Sequence, residues 1–314
     1  MSLMAGWIPL AMLVALGLDR IFGEPAARWH PVVAMGWFLG LFSKRLLTMA
    51  PAAAFGAGAA IWLVGAVNIG VLAVLLEGSL IYAFKPWQSW PGLLGGALLL
   101  GLLLKPMLAW RMLHDEVGAV EAALAESLPA GRARLSRLVS RDTSNLSAAE
   151  VREAAIETLS ENLNDSVVAP LFWFMLAGLP GAAFYRFANT ADAMWGYRGQ
   201  WEWAGKWAAR ADDLLSWVPA RITGLLMLGF KLNLLPALWQ QARRTPSPNS
   251  GWPMAAMALR LNVRLGKPGV YVLNETGAEA AATDIARAQR LALKAMLASS
   301  LVLALSAAAL RGGL

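Results

Sequence analysis

The chain has 314 residues, of which 58% are hydrophobic and 15% charged, with a mean hydropathy of +0.51, a formal net charge of +7 and no cysteine. Soluble domains carry about a quarter charged residues, so this composition belongs to an integral membrane protein. It excludes disulfides, thiolate metal sites and cysteine nucleophiles. The positive balance lies between apolar stretches without aromatic-basic repeats, so topology accounts for it better than nucleic-acid binding.

In chain order, Trp7–Leu18 is apolar but lacks a preceding basic region, and "LDRIFGEP" offers no small-x-small cleavage pattern. A retained hydrophobic helix or membrane-lying segment is expected there. Asp19, Arg20, Glu24 and His30 follow as a polar cluster, with His30 constrained by Pro31. Residues 46–76 form the longest charge-free run, and their Ala and Gly content suits close helix packing. Gly92–Trp110 reads as a second span, with Lys105 and Pro106 marking an interface or a kink. His114 beside Asp115 reads as structural or solvent-facing, because two distant histidines have no zinc spacing.

Basic residues crowd 19–45 and 111–165, so the positive-inside rule places both in the cytoplasm and the 77–91 link outside. Ser147 and Glu150 make a capping box that opens a helix. At 100° per residue, Glu150, Glu153, Glu157, Glu161 and Asp165 fall within an arc of about 120°. That arc is either a solvated face or a set of hard oxygen ligands for a phosphate-bridging cation. The stretch "ENLNDSVVAP" then runs into a charge-free segment, Ser166–Tyr185, that contains Pro170, Gly178, Pro180 and Gly181. Arg186, Arg198, Lys206, Arg210 and Arg221 come after it, so a broken, re-entrant or interfacial segment with both ends cytoplasmic is expected. Residues 222–238, divided by Lys231, present the same difficulty.

Asn189 and Asp192 share a helical face, Asp212 and Asp213 are adjacent, and Arg221 precedes an apolar run as either a bidentate phosphate contact or a membrane anchor. "RRTPSPNSGWP" has three prolines and a glycine within 246–253 and reads as a persistent loop. It is open between an anion cradle and a rigid connector. It is not a phosphate-loop motif. Leu293–Leu310 reads as a last span. The fold class expected is all-α: a polytopic membrane protein with broken or re-entrant apolar segments. One membrane-embedded domain over 1–314 is expected, with helical cytoplasmic loops at 19–45, 111–165, 186–221 and 239–291.

The blocks "DRIFGEP…HPVVAMG", "RDTSNL", "ETLSENLNDSVVAPLFW", "GLPGAAFYRFANTADAMWGYR", "AARADDLLSWVPARITG" and "SPNSGWPMAAMA" stand in order over most of 19–265. In them the chain resembles the adenosylcobinamide-phosphate synthase family, membrane proteins of cobalamin biosynthesis. The resemblance implies ATP-dependent amide formation between adenosylcobyric acid, a corrinoid, and (R)-1-aminopropan-2-ol phosphate or ethanolamine phosphate. It also implies magnesium, a bacterial or archaeal cell membrane, and other cobalamin-pathway enzymes as candidate partners. On that basis Glu157, His30 and Asp142 are the expected catalytic residues. Arg141, Asn189, Arg198, Arg221 and Asn249 are expected at the nucleotide or phosphate, and Glu161, Asp165, Asp192 and Asp212 at the metal. Met254 and Leu259–Arg260 stand where related sequences often carry an acidic residue and a small pair, which removes an acidic ligand at 254. The competing classes are a noncatalytic signalling relative, related to proteins of beta-lactamase induction, and a transporter of a phosphorylated substrate.

Overall fold

The computed structural model describes residues 6–87 and 89–312. Among them, four helical stretches are long and apolar enough to cross a membrane: Pro51–Phe84, Trp90–Glu126, Ala148–Trp195 and Ala282–Leu310. The protein is therefore a helical multi-pass membrane protein. The expected runs at 46–76, 92–110 and 293–310 each fall substantially within one of these stretches. The chain packs as two compact units, and each is built from segments distant in sequence.

The first unit contains residues 1–109, 169–215 and 300 onward. Its helices are α1 (Trp7–Phe22), α2 (Pro31–Leu46), α3 (Pro51–Phe84), α4 (Trp90–Leu104), α8 (Ala169–Trp195) and α9 (Lys206–Leu215). Helix α1 packs on α4 where α4 is stripped of side chains: a Cβ on Gly96 would lie 2.2 Å from the Trp7 ring, and one on Gly101 2.6 Å from Val14. Small residues allow this approach, which supplies packing that the hydrophobic effect cannot supply between helices in lipid. Helix α3 leaves Val67, Val71 and Leu75 exposed, as a lipid-facing surface requires.

The awkward run at 166–185 is broken, as its prolines and glycines suggest. Ala177 (φ −130°, ψ 18°) and Gly178 (φ 64°, ψ −154°) leave the helical region inside α8. The backbone N–H of Leu179, freed by that break, donates to the Glu77 carboxylate of α3 at 2.8 Å. Past the break, α8 continues beyond the apolar run to Trp195. Trp195 is fully buried, stacks on Trp201 and donates its indole N–H to Ser43.

The second unit contains residues 110–168 and 216–299. It holds α5 (Trp110–Glu126), α6 (Leu128–Leu135), α7 (Ala148–Leu163), α10 (Trp217–Leu228), α11 (Leu235–Ala242), α12 (Gly251–Leu261) and most of α13 (Ala282–Gly312). The run 222–238 is broken too: α10 stops at Gly229 (φ 60°), and Arg260 of α12 donates to the free carbonyls of Met227 and Leu228. Arg260 thus has a capping task, which explains an arginine at that position. The proline-rich loop is shorter than its composition suggests. Helix α12 already begins at Gly251, because a proline in the first helical turn sacrifices no intrahelical bond.

Two arginines of the basic stretch 111–165 are ion-paired within this unit. Arg134 meets Glu116 at 2.7 Å, and Arg152 grips Glu121 through Nε and Nη2 at 2.7 and 2.9 Å. One element lies outside the all-helical expectation, an antiparallel hairpin of β1 (Leu265–Lys267) and β2 (Tyr271–Leu273) that pairs Leu265 with Leu273. Gly269, at φ 71°, supplies the left-handed residue its turn needs.

Candidate functional site

Helix α7 begins with the capping box that the sequence spells. Ser147 Oγ accepts from the Glu150 N–H, and the Glu150 carboxylate accepts from the Ser147 N–H. Its acidic face is not solvated. Glu153 is 2% exposed and Glu157 5%. Buried carboxylates need partners. Glu157 Oε2 accepts from Arg141 Nη2 at 2.9 Å, and Glu153 Oε1 accepts from Arg264 Nη2 at 3.3 Å. Glu157 also accepts from the Tyr271 hydroxyl. The phenol of Tyr271, on β2, is pushed well above its ordinary range by burial and by the Glu157 charge beside it. Arg141 and Glu157, expected at the nucleotide and in proton transfer, are thus brought together.

Asp142, expected as a catalytic residue, lies in an exposed turn. Its carboxylate accepts from the Ser144 N–H and hydroxyl, both at 2.9 Å, which holds it below the usual carboxylate range and closes an exposed turn before α7.

After Leu163 the helix widens into a π turn, Asn164–Val168. Asp165 sits inside this turn, so the 100° wheel that aligned it with Glu161 does not apply there. The turn is tied down by Asn164, which is 2% exposed. Its amide donates to Asp165 Oδ1 at 2.8 Å and its oxygen accepts from Thr223 at 3.1 Å. Asn162 turns back onto the Thr158 carbonyl. Glu161, in the last turn of α7, and Asp165, in the π turn, are both half-buried, and such helix distortions often mark functional sites.

Asp192 and Asp212 belong to the first unit. Asn189 of α8 donates to Asp212 of α9 at 3.3 Å and accepts from Arg186 at 3.4 Å, so it joins two helices. Beside Asp212, the Asp213 carboxyl is pushed up by burial, with Arg210 opposing the shift. The Asp192 carboxylate lies over Gly196, where a Cβ would be 2.0 Å from Oδ1. Arg198 stands exposed in the following loop. Among the described residues, no group of three or more His, Asp or Glu side chains is gathered as a metal cage.

Arg221 is committed to the proline-rich loop. Its Nη1 donates to Asn249 Oδ1 and to the Trp217 carbonyl, both at 2.7 Å, and its Nη2 to the Pro248 carbonyl at 3.1 Å. The guanidinium also stacks over Trp217 and Trp252. Arg221→Lys is expected to lower the thermal midpoint by several degrees, because an ammonium cannot make that planar set of contacts; melting in detergent checks it. An unchanged midpoint would return Arg221 to the role of anchor or anion donor.

The N-terminal cluster contains a residue whose role was not read from the sequence. Lys105 ends α4 in a tight turn, and its ammonium, only 8% exposed, lies 3.6 Å from Asp19 and 3.5 Å from Glu24. The signal was a lysine inside an apolar run, which in membranes marks a paired and functional position by default. His30 is held at both nitrogens. Nδ1 accepts from the Val32 N–H at 3.2 Å as the cap of α2, which leaves the proton on Nε2, 2.7 Å from Glu24.

The comparisons with known proteins point one way. The family model described as "CobD/Cbib protein" matches residues 12–297. The chain is 40% identical over 282 residues to a "Probable cobalamin biosynthesis protein CobD" of Methanothermobacter thermautotrophicus, covering 84% of this chain and 86% of that one. It is 41% identical to the protein so described in Thermococcus kodakarensis, covering 89% of each chain. It is 38% identical over 319 residues to the "Cobalamin biosynthesis protein CobD" of Rhodobacter capsulatus, covering 94% of this chain and 96% of that one. No solved structure matches it.

Proposed function

The chain belongs to the CobD/Cbib protein family, and from that premise we propose that it joins (R)-1-aminopropan-2-ol phosphate, or ethanolamine phosphate, to adenosylcobyric acid through an amide bond, with ATP as co-substrate. Its relatives are described as cobalamin-biosynthesis proteins over nearly their whole length. The observation that carries the reading within this chain is the buried Arg141–Glu157 pair, with the Tyr271 hydroxyl beside it.

The reaction needs an activated acyl group, because a carboxylate at neutral pH is a poor acceptor for an amine. ATP transfers its terminal phosphoryl group to the corrinoid carboxylate, releasing ADP. The amine attacks the acyl phosphate, the carbon–oxygen bond breaks, and inorganic phosphate departs. The attacking ammonium must lose a proton, and Glu157 Oε1 is the acceptor offered by α7. Arg141 holds that carboxylate in place. His30 is a weaker candidate, since taking up a proton at Nδ1 would cost α2 its cap.

Magnesium would be held by Glu161 and Asp165. Two carboxylates suit a magnesium ion that keeps its remaining positions for water and phosphate oxygens. Bound there, it would neutralise phosphoryl charge. Asn164 fixes the turn that carries Asp165. The basic loops beginning at residues 111, 186 and 239 would face the cytoplasm, where ATP is available.

The test is purified protein with adenosylcobyric acid, the amino-alcohol phosphate, ATP and magnesium, read by mass spectrometry for the amide. Glu161→Gln and Asp165→Asn are expected to fold normally and to raise the half-saturating magnesium concentration several-fold. Unchanged magnesium dependence in both would remove them from the metal site. No amide with the wild-type protein would overturn the reading in favour of a signalling or transport role.

A further inference from the structure

At the N-terminal end of α7, away from the π turn, the β hairpin forms one wall of an open cleft of about 430 Å³. Its walls carry opposite charge. Glu150 and Glu153, one helical turn apart, line the α7 side, and Arg264 and Lys267 line the hairpin side. Glu153 is almost wholly buried and shares Arg264 with the distant carboxylate of Glu279, at 3.3 and 3.8 Å. Lys267 makes no ion pair among the described residues, although it stands at the rim of an acidic helix face. The hairpin backbone closes in at Gly266, where a Cβ would be 3.6 Å from Glu153 Oε2. The tight turn through Pro268 and Gly269 holds Lys267 at the end of β1.

We propose that this cleft is the subsite for a short zwitterion, an aminoalkyl phosphate, with its phosphate on Lys267 and Arg264 and its ammonium on Glu150 and Glu153. The assignment rests on the amide-forming reading above and deepens it. A dianion alone would meet the two carboxylates, and a simple cation would meet the arginine and the lysine. A ligand with both charges a few bonds apart matches both walls at once. Glu157 follows Glu153 by one turn on α7, so an ammonium seated at Glu153 lies next along the helix from the proton acceptor assigned above. The hairpin lies within 239–291, where a helical cytoplasmic loop was expected, and none of its residues was expected at a site.

The experiment uses the full chain in detergent and compares wild type with Lys267→Ala, Lys267→Arg and Glu153→Gln. Kinetics are measured for each substrate, and binding is measured for 1-aminopropan-2-ol phosphate, propyl phosphate and 1-aminopropan-2-ol. Lys267 is exposed, so its replacement leaves the fold intact. Lys267→Ala is expected to raise KM for the aminoalkyl phosphate about tenfold or more, and to weaken propyl phosphate alike, with kcat at saturation and KM for ATP within about twofold. Lys267→Arg should recover most of that loss. Glu153→Gln should weaken the amino alcohol and leave propyl phosphate unaffected. An unchanged KM in Lys267→Ala, or a rise in KM for ATP alone, overturns the subsite while wild-type turnover upholds the reaction. Failure of wild type to bind or use the aminoalkyl phosphate overturns both.

Discussion

Glu77→Leu is expected to leave little folded protein after detergent extraction. The carboxylate of Glu77 is the acceptor for the Leu179 N–H that the break in α8 exposes. Leaving a buried donor without a partner costs about 1–3 kcal/mol, and more in a lipid-embedded site where no water can replace it. Gly178→Ala attacks the same joint from the other side. Gly178 has φ 64°, and a Cβ there would sit 2.5 Å from both Glu77 oxygens. The alanine must therefore take a disfavoured backbone conformation and also displace the carboxylate. Both variants should melt many degrees below wild type by fluorescence-detected gel filtration. A Glu77→Leu protein with the wild-type melting point would mean that another group satisfies the break.

The second large effect concerns Arg141 and Glu157. Arg141→Ala strands a buried carboxylate, and breaking a buried pair on one side destabilises by about 3–5 kcal/mol. The double replacement Arg141→Ala with Glu157→Leu should recover much of that loss, since removing both charges removes the need for either. Activity should separate from stability. Glu157→Gln is expected to keep a near-normal fold yet to lower kcat for amide formation by about 10²–10⁴ if it accepts the proton. Chemical denaturation and turnover, measured on the same three variants, check the argument. Equal stability of Arg141→Ala and the double variant would show that Glu157 is relieved by another partner.

The elements governed by local chemistry were legible in the residues. Ser147 and Glu150 announced the start of α7, the lack of charge announced the long spans, and Pro180 with Gly178 announced a break. The family resemblance, carried by ordered blocks, was legible for the same reason. What the residues concealed depends on contacts between distant parts of one unit. Nothing local says that Lys105 returns to Asp19 and Glu24, or that Arg260 closes α10. The π turn escaped because a helical wheel assumes one pitch throughout, and Asp165 lies where the pitch changes. Arg221 was expected as a phosphate contact or a membrane anchor, and the acceptors it meets are Asn249 and two backbone carbonyls. The hairpin had a readable signal, a Gly-Lys-Pro-Gly turn before a Tyr-Val-Leu run, which the surrounding helical text obscured.

Both compact units are assembled from separated stretches of chain, and the last helix contributes residues up to Ser299 to one and from Ser300 to the other. On the ribosome, then, neither unit can close as it emerges. With translation at about 5–20 residues per second, residues 1–109 wait seconds for the part of their unit that starts at residue 169, and longer for the segment from residue 300. During that interval the buried charges Lys105 and Asp19 can already meet, since both come from the first 109 residues, whereas Arg264 reaches Glu153 only when the hairpin has been made. Biogenesis of this protein should accordingly depend on factors that shelter unpaired helices during insertion, and nascent chains stalled before residue 264 should remain sensitive to protease around α7.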